Sequence, residues 1–205
     1  MCKEVFKRTS SGLIFGYSEV FGTNQECLFD DFFEYKKLIV PEIGYFPFVS
    51  SVKIWHGDVI DGIEFVYDKE YSSKGKSPFF HGGQNGWEAR FELMPGDSIQ
   101  VVEGEYGRYP FSLEPVQQEK DIIIRLRFIT REGKESPWYG NACGKGDKMK
   151  GTPFKIDVGR SNVICGLQGA MWKPNMSLHS YIQAIGIIYV TFLDITNFQE
   201  LVKKE

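Results

Sequence analysis

The chain's three histidines, His56, His81 and His179, are the natural places to look for acid–base or metal chemistry, because imidazole is the side chain that titrates and ligates near neutral pH. His56 opens the stretch "HGDVID", close to Asp58 and Asp61, a set that suits a metal ligand or an acid–base pair. The simpler reading is a polar turn between two strands. His81 precedes Gly82-Gly83 and reads as a loop residue. No Gly-x-Ser-x-Gly nucleophile elbow occurs. "GNACGKGDK", Gly140 to Lys148, lacks the Gly-Lys-Ser/Thr ending of a phosphate loop and has no strand-to-helix context. Asp30 and Asp31 are adjacent, and neighbours on a strand face opposite ways, so they do not converge on one substrate. In "SLHSYIQAIGIIYV" one amide, Gln183, stands at the entry of an apolar run, next to a loop with Trp172 and His179. These residues do not build an active site, and the chain is expected not to be an enzyme and to need no cofactor or metal. Polar loops bearing aromatic rings suit neutral sugars instead, and composition alone does not choose a sugar over a protein partner. Amides, carboxylates and backbone N–H groups match hydroxyls, and rings pack on the apolar face of a pyranose.

Such loops need a scaffold, and the strand signals supply it. In "DIIIRLRFIT", Ile122, Ile124, Leu126 and Phe128 share one face and Arg125 and Arg127 the other. Val52/Ile54 and Ile63/Phe65/Tyr67 alternate in the same way, with Gly57-Asp58 and Asp61-Gly62 as turn residues. "ARFELMPGDSIQVVEG", "TPFKIDVG", "NVICGLQG" and "YIQAIGIIYVTFL" continue the pattern. The expected fold class is all-β, with almost no helix before Asn197. From Asn197 to Glu205, a capping box (Asn197 with Glu200) predicts a short helix. Residues 141–151, rich in Gly and Lys, read as a loop, where Lys145, Lys148 and Lys150 make an anionic glycan a lesser alternative to a solvated basic segment.

The bulk numbers fit. The 205 residues suffice for one domain with a sizeable core, and 22 glycines with 15% aromatic residues favour strands and tight turns. A net charge of −3 without a basic stripe argues against a nucleic-acid partner. No run reaches transmembrane length, and the N-terminus lacks a signal-peptide pattern, so the expected compartment is the cytoplasm, with non-classical secretion as the route outward. Cys2, Cys27, Cys143 and Cys165 match no zinc spacing and are expected to be free thiols.

The segments "VSSVKIWHGDVIDGIEFVYD", "HGGQNG", "FELMPGDSIQVVEGEYG", "IIRLRFITREGKESPWYG", "GTPFKI", "VICGLQG" and "YIQAIGIIYV" resemble, in that order, the jacalin-related lectins. "FHGGQNG…FELMPGDSI" is similar to animal secretory-granule members of that family. The resemblance implies a β-prism I of three antiparallel Greek-key sheets over residues 12–192, between an extension (1–11) and a tail (193–205). It also implies metal-independent binding of glycans or glycoproteins at one end of the prism. Self-association through sheet faces and edge strands fits such a fold.

In that family the sugar sits among three loops. The glycine-rich first loop matches "FGTNQECLFDD", where Gly22 is present but Thr23 replaces the second glycine, and Asn24 follows. The second loop offers Arg108, Tyr109 and Phe111. The third carries the Gly-x-x-x-Asp signature, which places His179 at the glycine and Gln183 at the aspartate, with Ser180, Tyr181 and Trp172 alongside. The resemblance therefore implies a lectin with an altered sugar site. The alternative is a prism that recognises a protein or a lipid headgroup after losing that site.

Overall fold

The computed structural model describes residues 7–8, 14–23, 27–39, 46–68, 77–108, 121–140, 151–173 and 179–191. Three antiparallel sheets enclose one core. The first sheet joins β1 (Lys7–Arg8), β2 (Ile14–Tyr17), β3 (Phe21–Gly22), β4 (Leu28–Asp30), β12 (Asn162–Trp172) and β13 (Tyr181–Thr191), in the order β1-β2-β13-β12-β4, with β3 also pairing β13. The second contains β5 (Val49–His56), β6 (Ile60–Tyr67), β7 (Phe80–Gly82) and β8 (Trp87–Glu92), ordered β7-β6-β5-β8. The third contains β9 (Ile99–Arg108), β10 (Asp121–Thr130) and β11 (Thr152–Asp157), ordered β10-β9-β11, and the bridges Leu126↔Tyr139 and Ile129↔Glu135 lay a further segment along β10. Strands β2 and β13, far apart in sequence, thus pair in the first sheet.

The alternation that predicts these strands also fills the interior. Phe15, Ile54, Ile63, Phe65, Leu126, Phe128, Leu167 and Ile187 are all fully or almost fully buried in one cluster. Strand β10 departs from simple alternation. Its pairing with β9 shifts between Ile123 and Arg125, a β-bulge at Ile124. Ile123 therefore enters the main core, while Ile122 and Ile124 join Val59 in a separate small cluster.

Almost no helix precedes Asn197 among the described residues, as expected: the one α-helix there, α1 (Phe32–Leu38), follows β4 and is seven residues long. It buries Phe32, Tyr35 and Leu38, spaced by three. Phe32 and Tyr35 meet Phe15 edge-on, with centroids 5.2 and 6.1 Å away, and the Tyr35 hydroxyl donates to Pro47 O at 3.0 Å. Asp30 Oδ1 accepts from Phe32 N–H at 2.8 Å, satisfying one of the donors a helix start leaves open. Ile39, with ψ 132°, returns the chain to extended backbone.

His81 corrects an expectation: it lies in β7 and is buried rather than in a loop. Its Nε2 is 2.7 Å from Asp31 Oδ1, and its ring stacks on Phe29 at 3.9 Å. Asp31 Oδ2 accepts from Leu167 N–H at 2.8 Å, so this carboxyl ties the segment before α1 to both β7 and β12. Burial pushes Asp31 up, against the hydrogen bond and charge of His81. Cys27 and Cys165 are free thiols; Cys2, Cys143, the segment from Asn197 and most of the 141–151 loop lie outside the described residues.

Candidate functional site

Three equivalent joints stand at one end of the prism, one per sheet. Each sheet carries a β-bulge near the start of one long strand. Gln183 is the extra residue between the pairs Met171↔Ile182 and Ala170↔Ala184. Asp61 is the extra residue between His56↔Ile60 and Trp55↔Gly62. Ile124 is the extra residue in β10. Over each bulge carbonyl lies a glycine with positive φ: Gly22 (101°) on Gln183 O, Gly82 (90°) on Asp61 O and Gly140 (88°) on Ile124 O. A Cβ at any of the three would collide with that carbonyl, so hydrogen is the only side chain the joint admits.

The side chains at these joints differ. The first sheet has Gln183, with Thr23 after its glycine. The third has Ile124, with Asn141 after its glycine. The second alone has an acid, Asp61, and a second glycine, Gly83. Gly57-Asp58-Val59-Ile60-Asp61 also has the Gly-x-x-x-Asp spacing that fails before the last strand. Asp58 and Asp61, set aside in the sequence as a polar turn, are functional candidates, as are Gly82, Gly83 and Asn85, which sequence reasoning missed. Their signal was present as the spacing of residues 57–61 and the doublet in "HGGQNG".

Around Asp61 the backbone is held closely. Gly83 N–H donates to Asp61 O at 2.8 Å, and Gly57 N–H to Val59 O at 3.1 Å. Gly86 runs so near that a Cβ would stand 3.0 Å from Asp61 Oδ2. The Asp61 carboxyl makes no hydrogen bond among the described residues. Burial pushes it up to about 7, and the neighbouring Asp58 charge adds to the rise. Asp58 Oδ1 and Asn85 Nδ2 are buried with no hydrogen-bond partner among the described residues. His56 closes the turn: its Nδ1 accepts from Gly140 N–H at 3.2 Å, and burial lowers its proton affinity. Opposite His56 stands Trp87, 60% exposed. Two carboxyl groups and an amide with free hydrogen-bonding capacity thus gather beside bare glycine backbone and an exposed indole. Such a set accepts from hydroxyl groups and offers an apolar platform. Among the described residues no group of three or more His, Cys, Asp or Glu is placed to hold a metal ion.

The residues singled out from the first-sheet loops fall into two neighbouring groups. Thr23 Oγ1 donates to Asp121 Oδ2 at 3.3 Å, and Asp121 pairs across the strands with exposed Arg108, so Gly22, Thr23 and Arg108 share one corner. Trp172 and Tyr181 pair across β12 and β13 with ring centroids 5.8 Å apart, and exposed His179 lies nearly parallel to Tyr181 at 6.4 Å. Trp172 and Tyr181 cover the cluster of Val59, Ile122 and Ile124, which draws the three sheets together at this end. Ser180 passes against Gly83. Asn24, Tyr109 and Phe111 lie outside the described residues. Direct ligand contact by the Gln183 amide does not fit its position. The residue is wholly buried, and both amide atoms lack a partner among the described residues.

Comparison with known proteins agrees with this fold. A family model, the jacalin-like lectin domain, matches residues 18–188. No curated sequence is similar enough to count as a relative. Among solved structures, Malaysian banana lectin is similar with a TM-score of 0.56 and 22% identity, over 86% of this chain and 98% of that one. Frutapin, a lectin from Artocarpus incisa, gives 0.59 and 16%, over 86% and 96%. A mannose-binding jacalin-related lectin from Ananas comosus gives 0.56 and 22%, over 89% and 100%. At these identities the likeness is one of fold, the β-prism.

Proposed function

The chain belongs to the jacalin-like lectin domain family, and from that premise we propose that it is a carbohydrate-binding lectin whose sugar is held in the second sheet, by Asp61 with Gly82, Gly83 and the turn from Gly57. The observation that carries this reading is the distribution of side chains over three equivalent joints: acid and double glycine coincide only at Asp61. A carboxylate there accepts from two adjacent hydroxyls with charge assistance. The glycine pair lets the Asp61 carbonyl and the Ser180 backbone pack at close range beside that carboxylate, and Trp87 supplies an apolar face.

The altered first-sheet loop does not serve as the acceptor, since the Gln183 amide is enclosed. The alternative, a prism given over to a protein or lipid headgroup, rests on loss of the signature, and that loss is confined to the first and third joints. Mannose is the first sugar to test, because similar structures include a mannose-binding lectin from Champedak and artocarpin in complex with mannotriose. In calorimetric titration with mannose and galactose, wild type is expected to bind one of them with a Kd of about a millimolar, ~4 kcal/mol. Asp61→Asn is expected to lose that binding. Equal binding by the variant would refute the assignment.

A further inference from the structure

The first-sheet loop has lost its acceptor but kept its rings. Trp172, Tyr181 and His179 form a row, with successive centroids 5.8 and 6.4 Å apart. This row adjoins the Asp61 site through two contacts. A Cβ on Gly83 would stand 2.8 Å from Ser180 O and 3.1 Å from Ser180 N, so the segment carrying the rings rests on the second glycine of the pair. Val59, inside the Gly57–Asp61 turn, belongs to the apolar cluster that Trp172 and Tyr181 cover. Asp61, Gly83, Ser180 and the rings therefore follow one another along a continuous surface. Its first part can accept from hydroxyls. Its second part offers ring area, with the Gln183 amide enclosed. Sugars joined by a glycosidic bond present the same succession: one unit fixed by its hydroxyls, the next lying with its C–H face on a ring.

We propose that the ligand is a disaccharide or longer glycan, one unit held at Asp61 and its neighbour stacked on the His179–Tyr181 pair. This rests on Asp61 being the sugar acceptor. The first-sheet loop then acts as the far half of the second-sheet site and sets the protein's preference for chain length.

The test is titration of methyl α-mannoside, mannobiose and mannotriose, with the corresponding galactose series, against wild type, His179→Ala, His179→Phe and Asp61→Asn. Wild type is expected to prefer disaccharide over monosaccharide by roughly five- to tenfold, the yield of one good ring contact. His179→Ala should reduce that ratio toward one, and His179→Phe, which keeps a ring, should restore it. Asp61→Asn should lose affinity for every member of the series. A wild-type ratio of one, or a ratio undiminished in a folded His179→Ala, overturns the proposal. If Asp61→Asn still abolishes binding in that case, the Asp61 reading stands without it. Undiminished binding by Asp61→Asn, or no binding of either series by wild type, overturns both.

Discussion

Replacing Asp61 by asparagine keeps the shape of the side chain and removes its ionisation. In the native protein this carboxyl titrates near 7, from an ordinary value of 3.8, because it is buried and faces Asp58. The gap of about three pH units corresponds to roughly 4 kcal/mol at 1.36 kcal/mol each. The folded state holds its proton up to pH ~7, whereas the unfolded chain releases it near 3.8. Between those values the unfolded state binds fewer protons, so this group makes stability fall as pH rises through the window and leaves it level outside. At pH 8 wild type carries the full penalty of a buried charge, and the variant carries none. Against that gain stands the new amide N–H₂, which needs partners in a site where Asn85 already lacks one, at about 1–3 kcal/mol. Asp61→Asn should therefore be more stable than wild type at pH 8 by about 1–3 kcal/mol, with the advantage gone at pH 4. Urea unfolding followed by tryptophan fluorescence at pH 4, 6 and 8 reads the difference, since titrations of groups remote from Asp61 cancel between the two proteins. A difference that stays constant across the three pH values would refute the reasoning. The result anticipated is a variant that loses its ligand and gains stability, as expected where a strained charge is kept for binding.

Sugar affinity in wild type should rise as pH passes through about 7 and level off above it, as Asp61 ionises, which titrations at pH 5.5 and 8 would show. Gln183→Met should stabilise the protein by about 1–2 kcal/mol, because it removes two buried polar atoms without partners, while Gln183→Asp should destabilise it by burying a charge; thermal unfolding separates the two. Gly82→Ala should cost about 2 kcal/mol or more, since its Cβ meets Asp61 O at a φ of +90°, whereas Gly57→Ala, with nothing within 4 Å, should fall within about 0.5 kcal/mol of wild type in chemical denaturation. Of the two described thiols, Cys27, which is exposed, should react with a thiol reagent in the native state, and Cys165 only on unfolding, because burial and then Asp31 raise its pKa well above the usual value.

The strands were legible because their periodicity is strong and local. The limits of that legibility lie in tertiary effects. Alternation from Ile122 to Phe128 identifies β10, but the bulge at Ile124, which sends Ile122 and Ile124 into a different cluster from Leu126, exists only relative to β9. The helix α1 is seven residues long, too short to declare itself by propensity, and it is docked on Phe15 by Phe32 and Tyr35. His81 resembles a loop residue beside two glycines, and its partner Asp31 is 50 positions away. The site follows the same rule. The departures at Thr23, His179 and Gln183 are visible in the sequence. The intact copy is hidden because Gly57 and Asp61 also suit an ordinary turn, and only the packing of Gly82 on the Asp61 carbonyl shows that the turn repeats the arrangement of the other two sheets.

Each of the three joints is made of a carbonyl and a glycine, and the side chains of residues 183, 61 and 124 take no part in that contact. The backbone is thereby indifferent to what residues 183, 61 and 124 carry, and the chain bears an amide, an acid and an aliphatic group at them. Such a molecule has three sockets and a free choice of what to fit in each. One socket can change its side chain while the carbonyl–glycine contacts of the other two stay as they are. At Ile124 that freedom is bounded by packing, because its side chain also fills the apolar cluster with Val59 beneath Trp172 and Tyr181.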